Sequence, residues 1–376
     1  MNLLFDLKAT QPNISGKRHG GGKYGEIIFK RMIQRNLKFA CFYDSKYWLN
    51  PQINDLCKTN NIPLYDLSEI NIETIIKEHH IDRIYSAIPE KLALIKSCKV
   101  YGTIHGLREL ETPFDKTFFE YKNSFKEYIK FIIKYCFTKW YHKKIKRQYR
   151  KYYINSAFNL ITVSEHSKYS LLTYFPELVN KIPNVFYSPN TSLNQSIIHK
   201  KDNSNKYFML VSGNRWGKNN LRAIKAFDYL VSRGILKDIK MKITGTTQNC
   251  FRYKIKNPDY FEFLGYIDDE ELENLYANAY LFIYPSLNEG FGYPPIEAMK
   301  YKTPVIASPL SSMAEICGEG ALFFNPFSIE EIMNRMMMMM DPILYQEFAE
   351  KGYNQYLKIK ERQEKDLDLL IDYISQ

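Results

Sequence analysis

Residues 284–299 read Tyr-Pro-Ser-Leu-Asn-Glu-Gly-Phe-Gly-Tyr-Pro-Pro-Ile-Glu-Ala-Met. A β-rich run ends at Tyr284, a loop with two glycines follows, and two prolines stand where a helix would begin, since proline is tolerated in a first helical turn. Glycine lets the backbone approach a ligand closely, and the free N–H groups of a loop and a helix start attract phosphate or hydroxyl oxygens. The stretch therefore predicts a strand, a ligand-binding loop and a helix in succession.

Two carboxylates bracket this loop. Glu289 lies within it, and we expect Glu297 in the first turn of the helix. Both can accept hydrogen bonds from the sugar hydroxyls of a ligand whose phosphates face the N–H groups. The alternative for Glu297 is a helix-start residue favoured by the helix dipole, and a pair of glutamates at this spacing also arises by chance.

The same alternation of strand and helix extends in both directions. Alternating β and α units imply parallel sheets wrapped by helices, and two such series imply an α/β chain with two Rossmann-like domains, whose sheets face each other across a cleft. Ligands of such sheets bind beyond the carboxyl ends of the strands. The predicted strands are 2–7, 37–43, 83–88, 99–105, 160–164, 207–212, 240–244, 261–264, 281–284, 304–307 and 321–324, and the clearest predicted helices are 25–34, 72–79, 221–233 and 269–277.

Composition excludes several classes of protein. The chain has 376 residues, 45% hydrophobic and 25% charged, and no apolar run approaches the roughly 18 residues that a membrane span needs. Its start does not have the pattern of a secretory signal. Six cysteines without a CxxC pair favour reduced thiols in a cytoplasmic protein over a zinc site or a disulfide framework. The one Asp-x-Asp triplet, 366–368, lies in a helical pattern, and we interpret it as a solvated face and expect no metal.

The stretch 285–299 resembles the signature of the retaining glycosyltransferases of family 4, which have the two-domain GT-B fold. The resemblance implies that Glu297 binds the ribose of a nucleotide-sugar donor, that Glu289 contacts the transferred sugar, and that Phe291, Gly292 and Tyr293 cradle sugar and phosphate. No cofactor and no metal are implied. Further matches in family order are 264–268, 271–272, 304–307 and 311–315.

Weaker matches to the same family add four sets of candidate donor-binding residues. Arg215 and Lys218, after a predicted strand, are similar to the family's cationic clamp on the donor diphosphate, although either could be a solvated surface charge. His105, at a strand end, is similar to a histidine near the donor sugar, although a lone histidine is more often structural. Ser164 is either a helix cap or a ligand contact. In the glycine loop 19–25 before a helix, Gly21 and Gly22 are the candidates for close approach to the diphosphate.

The net charge of +11 is concentrated in one segment, because residues 122–151 hold eleven Lys or Arg and one acid. Lys122, Lys126, Lys130 and Lys134 recur every four residues along one helix face, with aromatic residues between them. The segment is either an interfacial helix that docks on anionic lipid or a helix whose aromatic side packs on its own domain. Nucleic-acid binding is the third reading, but no recognition motif accompanies the charge.

The resemblance implies that the chain is a retaining hexosyltransferase. We expect residues 1–190 to form an acceptor-side domain with the basic insert near 120–152. The rest divides into a linker over 191–206, a nucleotide-sugar domain over 207–355, and a C-terminal helix over 356–376 that packs back on the first domain. The donor would be a UDP- or GDP-sugar and the acceptor a glycan or glycolipid of a bacterial lipopolysaccharide or capsule, with the enzyme cytoplasmic or peripheral at the inner face of the membrane. The alternatives are a nucleotide-sugar epimerase and a catalytically silent scaffold.

Overall fold

The computed structural model describes residues 2–12, 20–112, 114–121, 124–189 and 206–376. It divides into two compact units, of which the first comprises Met1–Leu107, Lys144–Thr191 and Arg362–Gln376 and the second Arg108–Lys143 and Ser192–Glu361. The predicted linker 191–206 lies outside the described residues, apart from Lys206.

All strand-to-strand pairings in the described part of the chain are parallel. The first unit has a seven-stranded sheet in the order β3-β2-β1-β4-β5-β6-β7, and the second a six-stranded sheet in the order β10-β9-β8-β11-β12-β13. The strands are β1 Leu3–Asp6, β2 Phe39–Tyr43, β3 Leu64–Asp66, β4 Arg83–Ser86, β5 Lys99–Ile104, β6 Phe158–Thr162, β7 Asn184–Val185, β8 Tyr207–Leu210, β9 Lys240–Thr244, β10 Phe261–Gly265, β11 Leu281–Tyr284, β12 Val305–Ala307 and β13 Ala321–Phe323.

Helices connect the strands. They are α1 Gly20–Gln34, α2 Pro51–Thr59, α3 Ile72–Glu78, α4 Arg108–Glu111, α5 Phe125–Cys136, α6 Thr138–Tyr153, α7 Glu165–Tyr174, α8 Asn220–Ser232, α9 Asp269–Asn278, α10 Tyr293–Met299, α11 Met313–Cys317, α12 Ile329–Met338 and α13 Pro342–Ser375. In the described residues no helix is long and apolar enough to cross a membrane.

Burial explains why these segments become strands. The central strands β1 and β11 are buried at every position, as expected for parallel strands covered on both faces. In the second unit, Phe208, Ile283 and Ile306 of the sheet pack in one core with Phe227 of α8 and Met336 of α12. The prediction of two Rossmann-like domains with parallel sheets is confirmed.

The sequence did not indicate β3 and β7. These strands contain three and two residues and lie at the two edges of their sheet, where burial is incomplete and the apolar pattern is short. The prediction for Asp366 was also wrong. Asp366 is buried, and its carboxylate accepts a hydrogen bond from the Tyr187 backbone N–H at 2.8 Å, so it is not part of a solvated face.

The segment Arg108–Lys143 belongs to the second unit, whereas the sequence-based division placed the basic insert near 120–152 in the first. The physical reason is a set of contacts to the start of α8. Arg222 donates to Asp115 at 2.5 Å, and the Trp216 ring contacts Phe118 and Phe131 with centroid separations of 5.7 and 5.5 Å. Residues from Arg362 onward group with the first unit.

Candidate functional site

The loop between β11 and α10 holds Glu289 in a buried position. Its carboxylate accepts hydrogen bonds from the Ser286 hydroxyl at 2.5 Å and from Lys218 Nζ at 2.6 Å. Its backbone N–H donates to Ser311 Oγ at 2.8 Å, and its carbonyl accepts from Ser312 Oγ at 3.0 Å. Side chain and backbone are therefore both fixed, and the carboxylate has one orientation.

Gly292 ends this loop with φ of +104°, in the left-handed region that favours glycine. A Cβ at this position would lie 2.6 Å from Met313 Sδ, so a side chain would strain the backbone and force the Met313 side chain to move. Phe291 is buried and can meet a ligand only through its backbone, whereas Tyr293, the first residue of α10, is half-buried. The glycine requirement inferred from the sequence has a steric cause here.

Glu297 is the fifth residue of α10, one position beyond the first turn that the sequence indicated. Its carboxylate accepts a hydrogen bond from the buried Tyr276 hydroxyl. Burial, with the negative charge of Glu297 beside it, holds the pKa of Tyr276 well above its usual value. The tyrosine therefore remains protonated and orients the carboxylate.

The loop after β8 brings Lys218 to Glu289. The Gly217 carbonyl accepts hydrogen bonds from the Leu287 N–H at 2.9 Å and from the Ser286 hydroxyl at 3.3 Å. Asn219 has a left-handed conformation with φ of +58°, and its side chain donates to the carbonyls of Pro285 at 3.1 Å and Pro326 at 2.7 Å. The two loops are thus joined by hydrogen bonds, which fixes the position of Lys218.

Lys218 and Glu289 form a buried ion pair. Burial lowers the pKa of Lys218, although the Glu289 carboxylate opposes this shift. Burial alone would raise the pKa of Glu289, but Lys218 and Arg108 outweigh it and hold that pKa below the usual value. Because the pKa of Glu289 is held below its usual value, its carboxylate is ionised at neutral pH and available to polarise a ligand.

A cavity of about 280 Å³ opens beside this pair within the second unit. Arg215 lines it from an exposed position, so the structure brings Glu289, Arg215 and Lys218 together. Arg108, which the sequence did not single out, lines the same cavity and acts electrostatically on both members of the ion pair. Glu297 does not line it. The full lining is Arg108, Glu109, Thr112, Phe114, Lys134, Tyr141, Arg215, Trp216, Gly217, Lys218, Ser286, Asn288 and Glu289.

His105 lies in the first unit, immediately after β5. Its Nε2 is 3.0 Å from the Ala87 carbonyl oxygen, and its ring meets the edge of Tyr24 with centroids 4.9 Å apart. Tyr24 in turn shares a buried hydroxyl cluster with Tyr85 and Thr103. The imidazole is half-buried and held by these contacts at the carboxyl end of its strand.

Gly21 and Gly22 lie in the first turn of α1, which begins at Gly20. The prediction that the glycines form a loop before the helix was wrong over Gly20–Gly25, and His19 lies outside the described residues. Gly25 has a packing role, because a Cβ there would lie 3.0 Å from Thr10 Cγ2 and 3.3 Å from Ala87 Cβ. The first turn of a helix still presents free backbone N–H groups.

Two further residues lie at carboxyl ends of strands in the first unit. Ser164 caps α7 by accepting from the Ser167 N–H at 3.1 Å, so the capping interpretation is confirmed. Asp6, which the sequence did not indicate, is buried at the end of β1 and accepts from Ser86 Oγ at 2.5 Å. Burial raises its pKa from 3.8 to about 6. In the described residues no cluster of three or more His, Cys, Asp or Glu could hold a metal ion.

Comparison with known proteins gives one family and several relatives. Residues 193–355 match the family described as Glycosyl transferases group 1. The O-antigen chain mannosyltransferase RfbU of Salmonella typhimurium is 30% identical over 239 residues, which are 61% of this chain and 60% of RfbU. This chain therefore aligns with less than two thirds of that relative.

Two solved structures are similar over nearly their whole length. WaaG, a glycosyltransferase involved in lipopolysaccharide biosynthesis, has a TM-score of 0.67 at 13% identity, with 98% of this chain and 99% of WaaG covered. HepE of Anabaena, solved with UDP and glucose, has a TM-score of 0.63 at 15% identity, with 100% of this chain and 99% of HepE covered. At these identities the likeness concerns the fold alone, and the predicted GT-B fold is confirmed.

Proposed function

We propose that the chain is a member of the glycosyl transferases group 1, whose family model matches residues 193–355, and that it transfers a hexose from a nucleotide diphosphate with retention of anomeric configuration. We further propose that the hexose is mannose and the acceptor a hydroxyl of a glycan or lipid-linked oligosaccharide in surface polysaccharide synthesis. RfbU, named as an O-antigen chain mannosyltransferase, supports both assignments.

The observation that carries the proposal is the ion pair of Lys218 and Glu289 at the wall of a cavity that also holds Arg108 and Arg215. A nucleoside diphosphate gains negative charge as the glycosidic bond breaks, and fixed cations stabilise that charge. Arg108 and Arg215 have no carboxylate partner among the residues that the structure describes, so both are available to phosphate oxygens. An ionised Glu289 suits a contact with sugar hydroxyls.

The remaining site residues take the roles that the resemblance gives them, as part of the proposal. Glu297, oriented by Tyr276, would accept hydrogen bonds from the ribose hydroxyls. The backbone of Phe291 and Gly292, with Tyr293, would cradle the sugar and its phosphate. The resemblance adds His105, Gly21 and Gly22 as further donor contacts. No metal enters this arrangement, because arginine and lysine side chains neutralise the phosphates.

Retention is proposed to follow a front-face reaction. The acceptor oxygen forms its bond to the anomeric carbon on the face from which the diphosphate departs. The bond between that carbon and the phosphate oxygen breaks, and the acceptor proton passes to an oxygen of the leaving phosphate. The protein's part is to hold donor and acceptor in this geometry and to stabilise the departing charge, which removes the need for a protein nucleophile.

The test is the stereochemistry of donor turnover. Purified protein is incubated with GDP-mannose or UDP-glucose and a mannose-terminated oligosaccharide, and NMR follows the anomeric proton of the product. We expect one donor to be consumed, with the configuration of the donor kept, and Glu289→Gln to reduce the rate at least about 100-fold, as for other groups that act on transition-state charge. An inverted product would contradict retention, and an epimerised donor without transfer would indicate an epimerase.

A peripheral membrane contact through 122–151 is also part of the proposal, and helix α5 supports it. Its inner face packs on the second unit, where Phe131 stacks on Phe118. Its outer face leaves apolar side chains in solvent, with Phe125 76% exposed and Ile133 47%, and Phe137, directly after the helix, is 60% exposed. The aromatic packing and the exposed apolar face therefore coexist. Lysines flank the outer face at Lys126 and Lys130, which suits anionic lipid at the inner face of a cytoplasmic membrane.

A further inference from the structure

The short turn that carries Arg215 and Lys218 is held from two sides. On one side, its Gly217 carbonyl accepts hydrogen bonds from the loop of Glu289. On the other side, the Trp216 side chain packs against the core of the second unit. The turn is tight, because the Lys218 N–H donates to the Arg215 carbonyl at 3.0 Å. Trp216 therefore lies between the two cations, and a shift of its indole would move both.

Three phenylalanine rings surround this indole, and all of them are distant from it in sequence. The Phe131 centroid lies 5.5 Å from that of Trp216 with the rings at 74°, and the Phe118 centroid lies at 5.7 Å with the rings at 82°. Phe114 stacks at 6.4 Å with its plane 7° from that of the indole. Edge-to-face and stacked rings at such distances attract one another. We call Phe114, Phe118 and Phe131 the ring cage.

The segment that carries two of these rings is fastened to helix α8. Arg222 of α8 pairs with Asp115 at 2.5 Å, and both side chains are mostly buried. Thr117 Oγ1 accepts a hydrogen bond from the Trp216 indole N–H at 3.2 Å and another from Arg222 at 3.3 Å. The ring cage therefore has a fixed position on the second unit, and the indole is bonded to the same segment that packs around it.

The third ring of the cage, Phe131, comes from the inner face of helix α5. It is only 5% exposed, and it does not line the cavity beside Glu289. It stacks on Phe118 with centroids 3.5 Å apart as well as contacting Trp216. A change at Phe131 can therefore reach a ligand in the cavity only through its neighbours, of which Trp216 belongs to the turn with the two cations.

A cationic turn needs such an anchor, because arginine and lysine side chains are flexible and stabilise a departing phosphate only when they are held in place. A displacement of about 1 Å in a site can cost about 100-fold in rate. Gly217 cannot supply the anchor, since even a Cβ at this position would meet nothing within 4 Å. Within this turn, the Trp216 indole is the side chain that packs on the core.

On the basis of the proposed function, we infer that Phe131 and Trp216 are positioning residues for the donor diphosphate. The inner face of α5 holds the indole, and the indole holds Arg215 and Lys218 in the orientation that the phosphates require. The basic insert is therefore part of the donor site through its inner face, whatever its outer face contacts.

The test compares Phe131→Ala with the wild type in the full chain, with binding of GDP and GMP measured by calorimetry, or of UDP and UMP if those bind the wild type. We expect the affinity for GDP to fall about tenfold or more, because a loosened turn no longer presents both cations to the diphosphate. GMP lacks the second phosphate and should lose less, whereas a merely structural role would weaken both nucleotides equally. Phe131→Leu fills most of the same space and serves if Phe131→Ala does not fold. It should change the ratio of the two affinities in the same direction by a smaller factor.

A double-mutant cycle tests whether the effect passes through the turn. Arg215→Gln removes one cation, and in that background Phe131→Ala should weaken GDP binding less than it does in the wild type, since both changes remove the same interaction. Phe348→Ala is the matched control, because its half-buried ring packs on the same core of the second unit but lies outside the cavity. It should lower the unfolding midpoint and leave the affinity for both nucleotides unchanged.

The inference is overturned if Phe131→Ala and Phe131→Leu bind GDP as the wild type does, or if GDP and GMP weaken by the same factor. Additive effects of Phe131→Ala and Arg215→Gln would overturn it too, as would an equal loss of GDP affinity in Phe348→Ala. Failure of the proposed function looks different, because the wild-type protein would then bind neither the nucleoside diphosphate nor the monophosphate.

Discussion

Lys218 Nζ lies 2.6 Å from Glu289 Oε1, and both side chains are almost completely withdrawn from solvent. One partner comes from the loop after β8 and the other from the loop after β11, so the contact joins two neighbouring strands of one sheet at their carboxyl ends. Such edges are where α/β sheets bind ligands. Burying a charged pair costs solvation free energy, so stability alone does not explain the pair, and we infer a functional role for it.

The first prediction concerns the energy of this pair. Lys218→Met leaves a buried carboxylate without its nearest cation, and it should lower the free energy of unfolding by about 3 to 5 kcal/mol, as for other broken buried pairs. Lys218→Met combined with Glu289→Gln should cost at least about 1 kcal/mol less than the sum of the two single changes. Urea denaturation of the four proteins measures the coupling.

A surface pair at the same distance is the control. Lys351 Nζ is 2.6 Å from Glu347 Oε1, but both side chains are 44% exposed, and the same cycle should show little coupling because water screens the charges. Equal coupling in the two cycles would mean that burial does not strengthen the pair of Lys218 and Glu289.

The second prediction concerns Gly292. Gly292→Ala places a Cβ against Met313 Sδ in a left-handed conformation, and it should lower the unfolding midpoint and abolish donor binding. Gly234→Ala is the matched control, since its φ is also positive, at +69°, but a Cβ there meets only Lys237 Cε at 3.9 Å and lies outside the cavity, so donor binding should be unchanged. Thermal unfolding with and without the nucleotide sugar measures both effects. Normal donor binding by Gly292→Ala would show that the loop can rearrange.

The third prediction is a pH dependence from Asp6. Its pKa rises from 3.8 to about 6 on folding, so between these values the folded state binds more protons than the unfolded state, and stability falls as pH rises. Between about pH 5 and pH 7.5 the free energy of unfolding of the wild-type protein should fall by about 1 to 2 kcal/mol, whereas that of Asp6→Asn should not. Urea unfolding of both proteins at the two pH values gives the difference, and parallel pH profiles would contradict the assignment.

The fourth prediction concerns the outer face of the insert. The double change Ile133→Ser and Phe137→Ser should reduce sedimentation with vesicles of equal parts phosphatidylcholine and phosphatidylglycerol, because it removes exposed apolar side chains. High salt should weaken wild-type binding. Ile343→Ser removes a side chain that is 79% exposed outside the insert and should have no effect. Wild-type protein that stays in the supernatant at low salt would rule the membrane contact out.

The sequence predicted the strands beside the site well, because their apolar runs are long and buried and glycine or proline marks their ends. The edge strands β3 and β7 are too short to leave such a pattern. The sequence did indicate the two glutamates on either side of the loop and the need for glycine at Gly292, since both features depend on residues close together in the chain. The sequence did not indicate Arg108, because its significance depends on a cavity whose other wall comes from residues about a hundred and more positions away.

The assignment of the basic segment shows the same limit. Charge and helical spacing indicated a helix, but they could not show which unit its inner face packs on. That choice depends on the ion pair of Asp115 with Arg222 and on the contacts of Trp216, both distant in sequence. Likewise, the glycines at 20–22 indicated a loop, whereas α1 begins at Gly20, since a first turn tolerates glycine when the rest of the helix is buried.

The most direct test of the central claim is a thermal-shift screen of the purified protein against UDP-, GDP-, ADP- and dTDP-sugars. We predict that one nucleotide sugar, with GDP-mannose the leading candidate, raises the unfolding temperature. This shift should disappear in Glu297→Ala and persist in Glu270→Ala, which removes an exposed glutamate of α9. Folded wild-type protein that responds to no nucleotide sugar would contradict the claim and favour a catalytically silent scaffold.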